Sequence, residues 1–436
     1  MNICFIIKMI FINDFYIEHI YKMIWDEIII GAGFAGLYWV YKTKPKNFLI
    51  LEKSDRIGGR VYNVEWNNNQ ISLGGGIIKP NNTWTIELVK ELGLELVDGI
   101  SKYHMVDLET ETTNINKPNE ANFYESNKIV IKYLKNIYKK NKQEITDKKL
   151  NWEEFLDLYL DFQVARTIKL NLLYQTYLQA DVESVLYGEI DELLRTQDFH
   201  VKYIKQKGYT GILDKLIEFV GLENIKTDSH VNSIGKIPND YFEIKTSSGE
   251  IFQTKKVILA TESETNINFE LEIELNNKLS ELYGMVGVSK YLRVYSYHME
   301  IQGHGLECSY RTSGLPGKVI MINKNILMCC YTEDSEAIKL YNLLNKNDKS
   351  NQIEIVYKLL TNSNIKITKP DDIKIKFWDS GVHYNKPGYQ IEKKKNLIKQ
   401  LANKNIIVIG EAIADSHGWV NSALESVHYI IEIKNI

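Results

Sequence analysis

WDEIIIGAGFAGLYWVYKTKPKNFLILEKSDRIGGR, residues 25–60, lays out a strand, a glycine turn, a helix and a second strand. The apolar run Ile28, Ile29, Ile30 stops at Gly31-Ala32-Gly33-Phe34-Ala35-Gly36. Leu37, Val40 and Tyr41 then recur at helical spacing until Pro45, and a second apolar run, 48–51, ends in Glu52. Each part suits a dinucleotide. Gly31 permits the tight turn, Gly33 lets backbone approach a pyrophosphate, and Gly36 lets the helix pack on the sheet. The helix start around Ala35 offers N–H groups and the positive end of its dipole to the phosphates. Glu52 lies 21 residues after Gly31 (52 − 31), the place of a ribose-binding acid, with Lys53 beside it. A GxGxxG alone is weak evidence. Strand, helix, second strand and acid in the right order make it strong.

Length and composition narrow the rest. At 436 residues with 44% hydrophobic content, the chain suits two or more domains with filled cores. A net charge of −3 and a pI near 6.4 give no field that favours nucleic acid or an anionic membrane. Cys4, Cys308, Cys329 and Cys330 are too spread or too adjacent for a disulfide framework or a metal site, so they read as reduced thiols, and no metal is expected. No run of 18 apolar residues exists to span a membrane, and residues 1–22 lack the order of a signal peptide. A cytoplasmic location is therefore expected. Residues 1–22 read as a tail of no assigned function, with Met23 directly before the first strand.

A second glycine cluster narrows the cofactor. Arg56-Ile57-Gly58-Gly59-Arg60 continues the loop, and Leu73-Gly74-Gly75-Gly76-Ile77 follows soon after. A nicotinamide site does not need this second cluster, whereas FAD runs on past the pyrophosphate. Glycines then permit close backbone approach, and Arg60 can pair with phosphate. With these motifs the chain resembles the flavin-containing amine oxidase family of monoamine oxidases, polyamine oxidases and histone-lysine demethylases. The resemblance implies FAD, held without a covalent bond, as cofactor, and a small amine and O₂ as reactants. It is strong at both ends of the FAD-binding part and weak across 98–204. Monoamine oxidases continue into a C-terminal membrane anchor, and none is expected here.

The fold expected is α/β within an α+β whole: a discontinuous, Rossmann-like FAD-binding domain and a substrate domain of mixed sheet and helices. Residues 23–97, 205–267 and 377–436 go to the first, 98–204 and 268–376 to the second. Periodicity predicts helices over 82–92, 127–138, 152–172, 208–220 and from Val420 onward. Short strands are expected at 224–226, 231–234, 241–246, 256–261, 290–296, 318–322, 326–331 and 405–412. Residues 378–384 read as a loop reaching the flavin.

The resemblance also assigns roles. Gly75, Gly76, Ile77, Val231, Gly410, Glu411, Trp419 and Val420 join the expected FAD contacts, Val231 through its backbone at the adenine. A helix beginning near Val420 would stabilise negative charge on the reduced ring. Lys290 matches a lysine that holds a water against flavin N5. Strand alternation puts Lys290 and Leu292 on one face and Arg293 on the other. Tyr384 and Trp419 match two aromatic walls that steer an amine nitrogen. His383 falls where monoamine oxidases carry a flavin-bearing cysteine, and whether it links to flavin stays open.

The resulting expectation is an oxidase in which an amine's α-hydride passes to flavin N5 and O₂ becomes hydrogen peroxide. Two alternatives remain: a desaturase or porphyrinogen-type oxidase of the same fold, and a flavin-binding protein without turnover. Which amine is oxidised, and the oligomeric state, are not legible.

Overall fold

The computed structural model describes residues 23–434 apart from 107–119, 173, 190–197, 206, 301–308, 313, 364 and 366. The tail 1–22, Cys4 and Cys308 lie outside the described residues. The apolar run of the opening motif becomes Glu27–Ile30, the middle strand of a five-stranded parallel sheet. Its order is Ile406–Val408, Val257–Leu259, Glu27–Ile30, Phe48–Leu51, Ile225–Lys226. A parallel sheet is covered on both faces, so its strands are continuous apolar runs rather than alternating ones. Ile28, Ile29, Ile50, Ile258 and Ile407 are accordingly buried. Helix Phe34–Thr43 packs on helices Tyr209–Val220 and Val420–Lys434. A Cβ on Gly36 would lie 2.2 Å from the Gly31 carbonyl oxygen, so only glycine lets this helix settle on its strand.

A second sheet, Ile24–Trp25, Ile251–Thr254, Tyr241–Thr246, Val231–Ile237 and Asn268–Glu270, flanks the first. The last of these strands, Asn268–Glu270, pairs in parallel with Val231–Ile237.

The third sheet has seven strands in the order Asp372–Asn385, Val286–Tyr297, Ile326–Glu333, Lys318–Asn323, Ser309–Thr312, Leu96–Val106, Asp198–Ile204. It is mixed: Ser309–Thr312 pairs in parallel with Leu96–Val106, and the neighbouring pairs are antiparallel. Helices Asp334–Asn345 and Lys349–Asn362 cover one face, burying Leu292, Val294, Leu340 and Val356. The opposite face presents Tyr291, Arg293 and Tyr331 to a cavity. Helices Glu120–Lys148, Trp152–Tyr159 and Phe162–Asn171 form a smaller core of their own around Leu134, Trp152 and Phe155. The run 152–172 is thus two helices. Leu160 is extended, and the Asp161 carboxylate starts the second helix by accepting from the Gln163 N–H at 2.9 Å.

The segment expected as a loop at 378–384 is instead the far half of the strand Asp372–Asn385, so position 377 falls inside one strand. Asp379-Ser380-Gly381 has the composition of a turn. Gly381 is there because strands approach closely: a Cβ on it would meet Tyr291 at 2.9 Å. Among the described residues, no helix is long and apolar enough to cross a membrane.

Candidate functional site

A cavity of about 660 Å³ runs from the glycine turn, across the ends of the parallel strands, to the open face of the seven-stranded sheet. At one end Gly31 takes φ +106°, and its N–H donates to the Leu51 carbonyl at 2.8 Å. The Ala32 N–H donates to Glu52 Oε2 at 2.8 Å, while Ser54 gives its N–H and hydroxyl to Oε1 at 3.0 and 2.7 Å. Glu52 therefore pins the turn as well as lining the cavity. The following helix has Gly33 as its N-cap with no side-chain bond, and no acid in its first turn. Its positive end is left open to an anion. Gly33 faces Gly59, where a Cβ would come within 3.4 Å of the Gly33 Cα. This bare cradle fits a pyrophosphate.

Of the expected cofactor residues, all but Gly36, Gly76 and Ile77 line the cavity. Gly36 serves helix packing. Gly76 sits over the Ser72 hydroxyl, and the Ile77 carbonyl accepts from the Tyr209 hydroxyl at 3.1 Å.

Beside the middle of the cavity lies a buried charge cluster. Glu411 Oε2 accepts from Arg60 Nη1 at 2.8 Å and meets His383 Nδ1 at 2.5 Å, and Oε1 accepts from the Gly418 N–H at 2.6 Å. Burial alone would raise the Glu411 carboxyl; Arg60, His383 and His417 hold it well below the usual carboxylate range. Burial lowers His417 to about 4, against the pull of Glu411. His383 is fully buried, does not line the cavity, and has its other ring nitrogen, Nε2, 3.3 Å from the Ser263 N–H that donates to it.

The far end is aromatic. Trp419 and Val420 line it, with the Lys79 ammonium 4.1 Å from the centre of the Trp419 ring. Tyr384, expected as the facing wall, does not line the cavity. It leans over Gly287, where a Cβ would meet its ring at 2.3 Å, and packs on the helical core. Lys290 is not on the wall either. Its ammonium pairs with Asp379 and its N–H donates to Asp334 Oδ1 at 3.0 Å. The register of Val286–Tyr297 against Asp372–Asn385 slips between Ser289 and Tyr291, and beyond the slip Tyr291 and Arg293 take the cavity face. Lys290 and Arg293 do lie on different faces, but the face that lines the cavity is Arg293's.

Tyr174, Tyr177, Tyr291, Tyr331, Lys376 and Trp378 also line this end, and sequence reasoning missed them. Tyr291 and Tyr331 meet edge to face at 5.5 Å. Burial, then Glu333, pushes the Tyr291 phenol well up, and burial with Arg56 nearby pushes the Lys376 ammonium down. For Tyr331 and Trp378 the available signal was alternation within apolar runs; for Tyr174 and Tyr177 there was none.

The donor set fits the FAD inferred from the motifs: an anion cradle at a helix start, a carboxylate at the ribose position, and a long cavity ending in aromatic walls. Comparison with known proteins agrees. A family model described as flavin containing amine oxidoreductase matches residues 42–426. The flavin-containing amine oxidase A of Equus caballus is 38% identical over 73 residues, 16% of this chain and 14% of that protein. Putrescine oxidase of Kocuria rosea is 36% identical over 72 residues, 16% of this chain and 15% of its own length. The chain thus aligns with only a small part of these curated relatives. Among solved structures, wild-type putrescine oxidase bound to putrescine is similar at a TM-score of 0.68 and 13% identity, over 95% of this chain and 100% of that one. A redesigned variant of putrescine oxidase is similar at 0.70 and 12% identity, with the same coverage. Identities this low show a shared fold. The family match, spanning most of the sequence, shows more: the chain belongs to the flavin-containing amine oxidoreductases.

Proposed function

We propose that the protein is an FAD-dependent oxidase of a small amine. The observation that carries this reading is one continuous cavity whose wall is shared by the glycine turn and by the aromatic face of the seven-stranded sheet. When bound, FAD supplies a two-electron acceptor that O₂ can reoxidise, with hydrogen peroxide as product. Gly33, Gly59 and the helix start hold the pyrophosphate, Glu52 the ribose, and Val231 the adenine end. Gly75, Trp419 and Val420 hold the ring end.

The chain's own part is selection and orientation. Tyr174, Tyr291, Tyr331 and Trp378 exclude water and give the substrate flat apolar walls. Arg293 and Lys376 on the same wall disfavour an ammonium, so the amine enters as the neutral free base with its proton left to bulk water. The imine left behind takes up water and breaks into carbonyl compound and amine or ammonia.

The test is peroxide release by the FAD-loaded protein on a panel of monoamines, putrescine and amino acids. One or more members should yield peroxide in step with O₂ consumed. Neither peroxide nor flavin bleaching with any member would overturn the oxidase reading.

A further inference from the structure

Arg293 is a guanidinium on the cavity wall whose charge meets no carboxylate. Its Nη1 donates to the carbonyls of Gly74 and, at 3.3 Å, Ser72, and its Cζ lies 4.6 Å from the centre of the Tyr331 ring. Among the described residues no acid is bonded to it. The nearest carboxylate along the paired strand, Glu333, is committed elsewhere: Oε2 accepts from the Thr176 N–H at 2.9 Å and hydroxyl at 3.0 Å, and Oε1 is 3.5 Å from Lys318. Two more cations share this wall. Arg56 stacks 4.3 Å over Tyr62, and Lys376 lies 4.2 Å over Trp378. Of the acids lining the cavity, Asp379 is exposed and paired with Lys290, Glu262 is paired with Lys53, and Glu264 lines the wall as well.

Arg293, Arg56 and Lys376 thus stand at the aromatic end with no acid bonded to them among the described residues, which leaves guanidinium donors there without an anion. We infer that the substrate is an amine that also carries a carboxylate, an amino acid with an apolar or aromatic side chain, and that Arg293 binds the carboxylate. A planar fork matches a carboxylate in two parallel bonds, which an ammonium cannot reproduce. The aromatic walls take the side chain. The inference rests on the proposed oxidase for its chemistry, but its binding test does not.

Benzoate and benzylamine, which share a ring and differ in charge, are titrated into the FAD-loaded protein and followed by calorimetry and by the flavin spectrum. Benzoate should bind at least tenfold more tightly than benzylamine. Arg293→Met should lose at least tenfold in benzoate affinity, and Arg293→Lys, which keeps the charge but not the fork, should lose less. Phenylalanine should exceed phenethylamine in kcat/KM for peroxide release. Equal binding of benzoate and benzylamine to the wild type overturns the inference even if the Met variant fails to fold. Benzoate binding unchanged in both variants overturns it too, by placing the cation's role with the flavin. Preference for phenethylamine overturns the substrate class. Peroxide from no member of the amine panel, with Arg293-dependent benzoate binding, upholds the anion site and removes the oxidase reading instead.

Discussion

Gly33 and Gly59 face each other at the start of the first long helix, and a side chain on either occupies the space left for phosphate. Gly33→Asp adds a negative charge there, against a ligand of the same sign. The variant should fold but purify without flavin; absorbance of flavin relative to protein measures this, and wild-type occupancy in the variant overturns the cradle. His383 makes the opposite kind of statement. With both ring nitrogens engaged and no face on the cavity, it has no nucleophile to offer a flavin. Flavin should therefore leave the wild-type chain on acid or heat denaturation, and flavin retained on the denatured polypeptide would contradict this. The glycines were legible in the sequence because few residues tolerate their backbone geometry or spacing. Lys290 and Tyr384 lie off the cavity wall, in and beside a register slip between Ser289 and Tyr291, where the strand carrying Tyr384 runs two residues longer than its partner, and no local residue marks that slip.

Four elements meet at the Glu411 carboxylate: the loop carrying Arg60, the long strand carrying His383, the turn Glu411–Ile413, and the approach to the last helix at Gly418. Their junction sets an acid limit. The folded Glu411 value lies below the ordinary one, so its contribution is present above the usual carboxylate range and fades as pH falls through the folded value. His417 acts in the same direction higher up. Its folded value of about 4 lies below the ordinary 6.5, so from pH 6.5 down to 4 the unfolded chain takes up a proton that the folded one refuses. Stability should fall across that window by up to about 3 kcal/mol from this residue. His298, also lowered to about 4 by burial, adds to the fall. Urea midpoints across the window check it, and His417→Gln should flatten the slope; a pH-independent midpoint would refute it. At this scale most helices and strands followed from periodicity. The strand Asp372–Asn385 did not, because Asp379-Ser380-Gly381 looks like a turn and its partner strand lies some ninety residues earlier.

The described residues form three larger sheets and a two-stranded hairpin, Asn63–Trp66 with Asn69–Ser72, and the chain crosses between the sheets repeatedly. The late strands of the parallel sheet were legible from the return of short apolar runs near 257 and 406. Much of the helical part was legible as well, because 127–138 and 152–172 carry helical periodicity; that 152–172 divides into two helices was not. The order of strands in the parallel sheet also sets a clock for synthesis. Glu27–Ile30 and Phe48–Leu51 are complete by residue 51, Val257–Leu259 beside the former begins some 206 residues later (257 − 51), and the edge strand Ile406–Val408 follows that by another 147 (406 − 259). At ~5–20 residues per second, translation leaves Val257–Leu259 waiting on the order of seven to thirty seconds without its outer neighbour. The wall residues Gly410 and Glu411 arrive later still. Ribosome-bound chains halted before residue 400 should therefore retain no FAD, and chains carried past residue 434 and clear of the exit tunnel should retain it; FAD on the shorter chains would contradict this. During that interval the apolar edge of Val257–Leu259 stands unpaired, an opening for chaperones to occupy and for neighbouring nascent chains to misjoin.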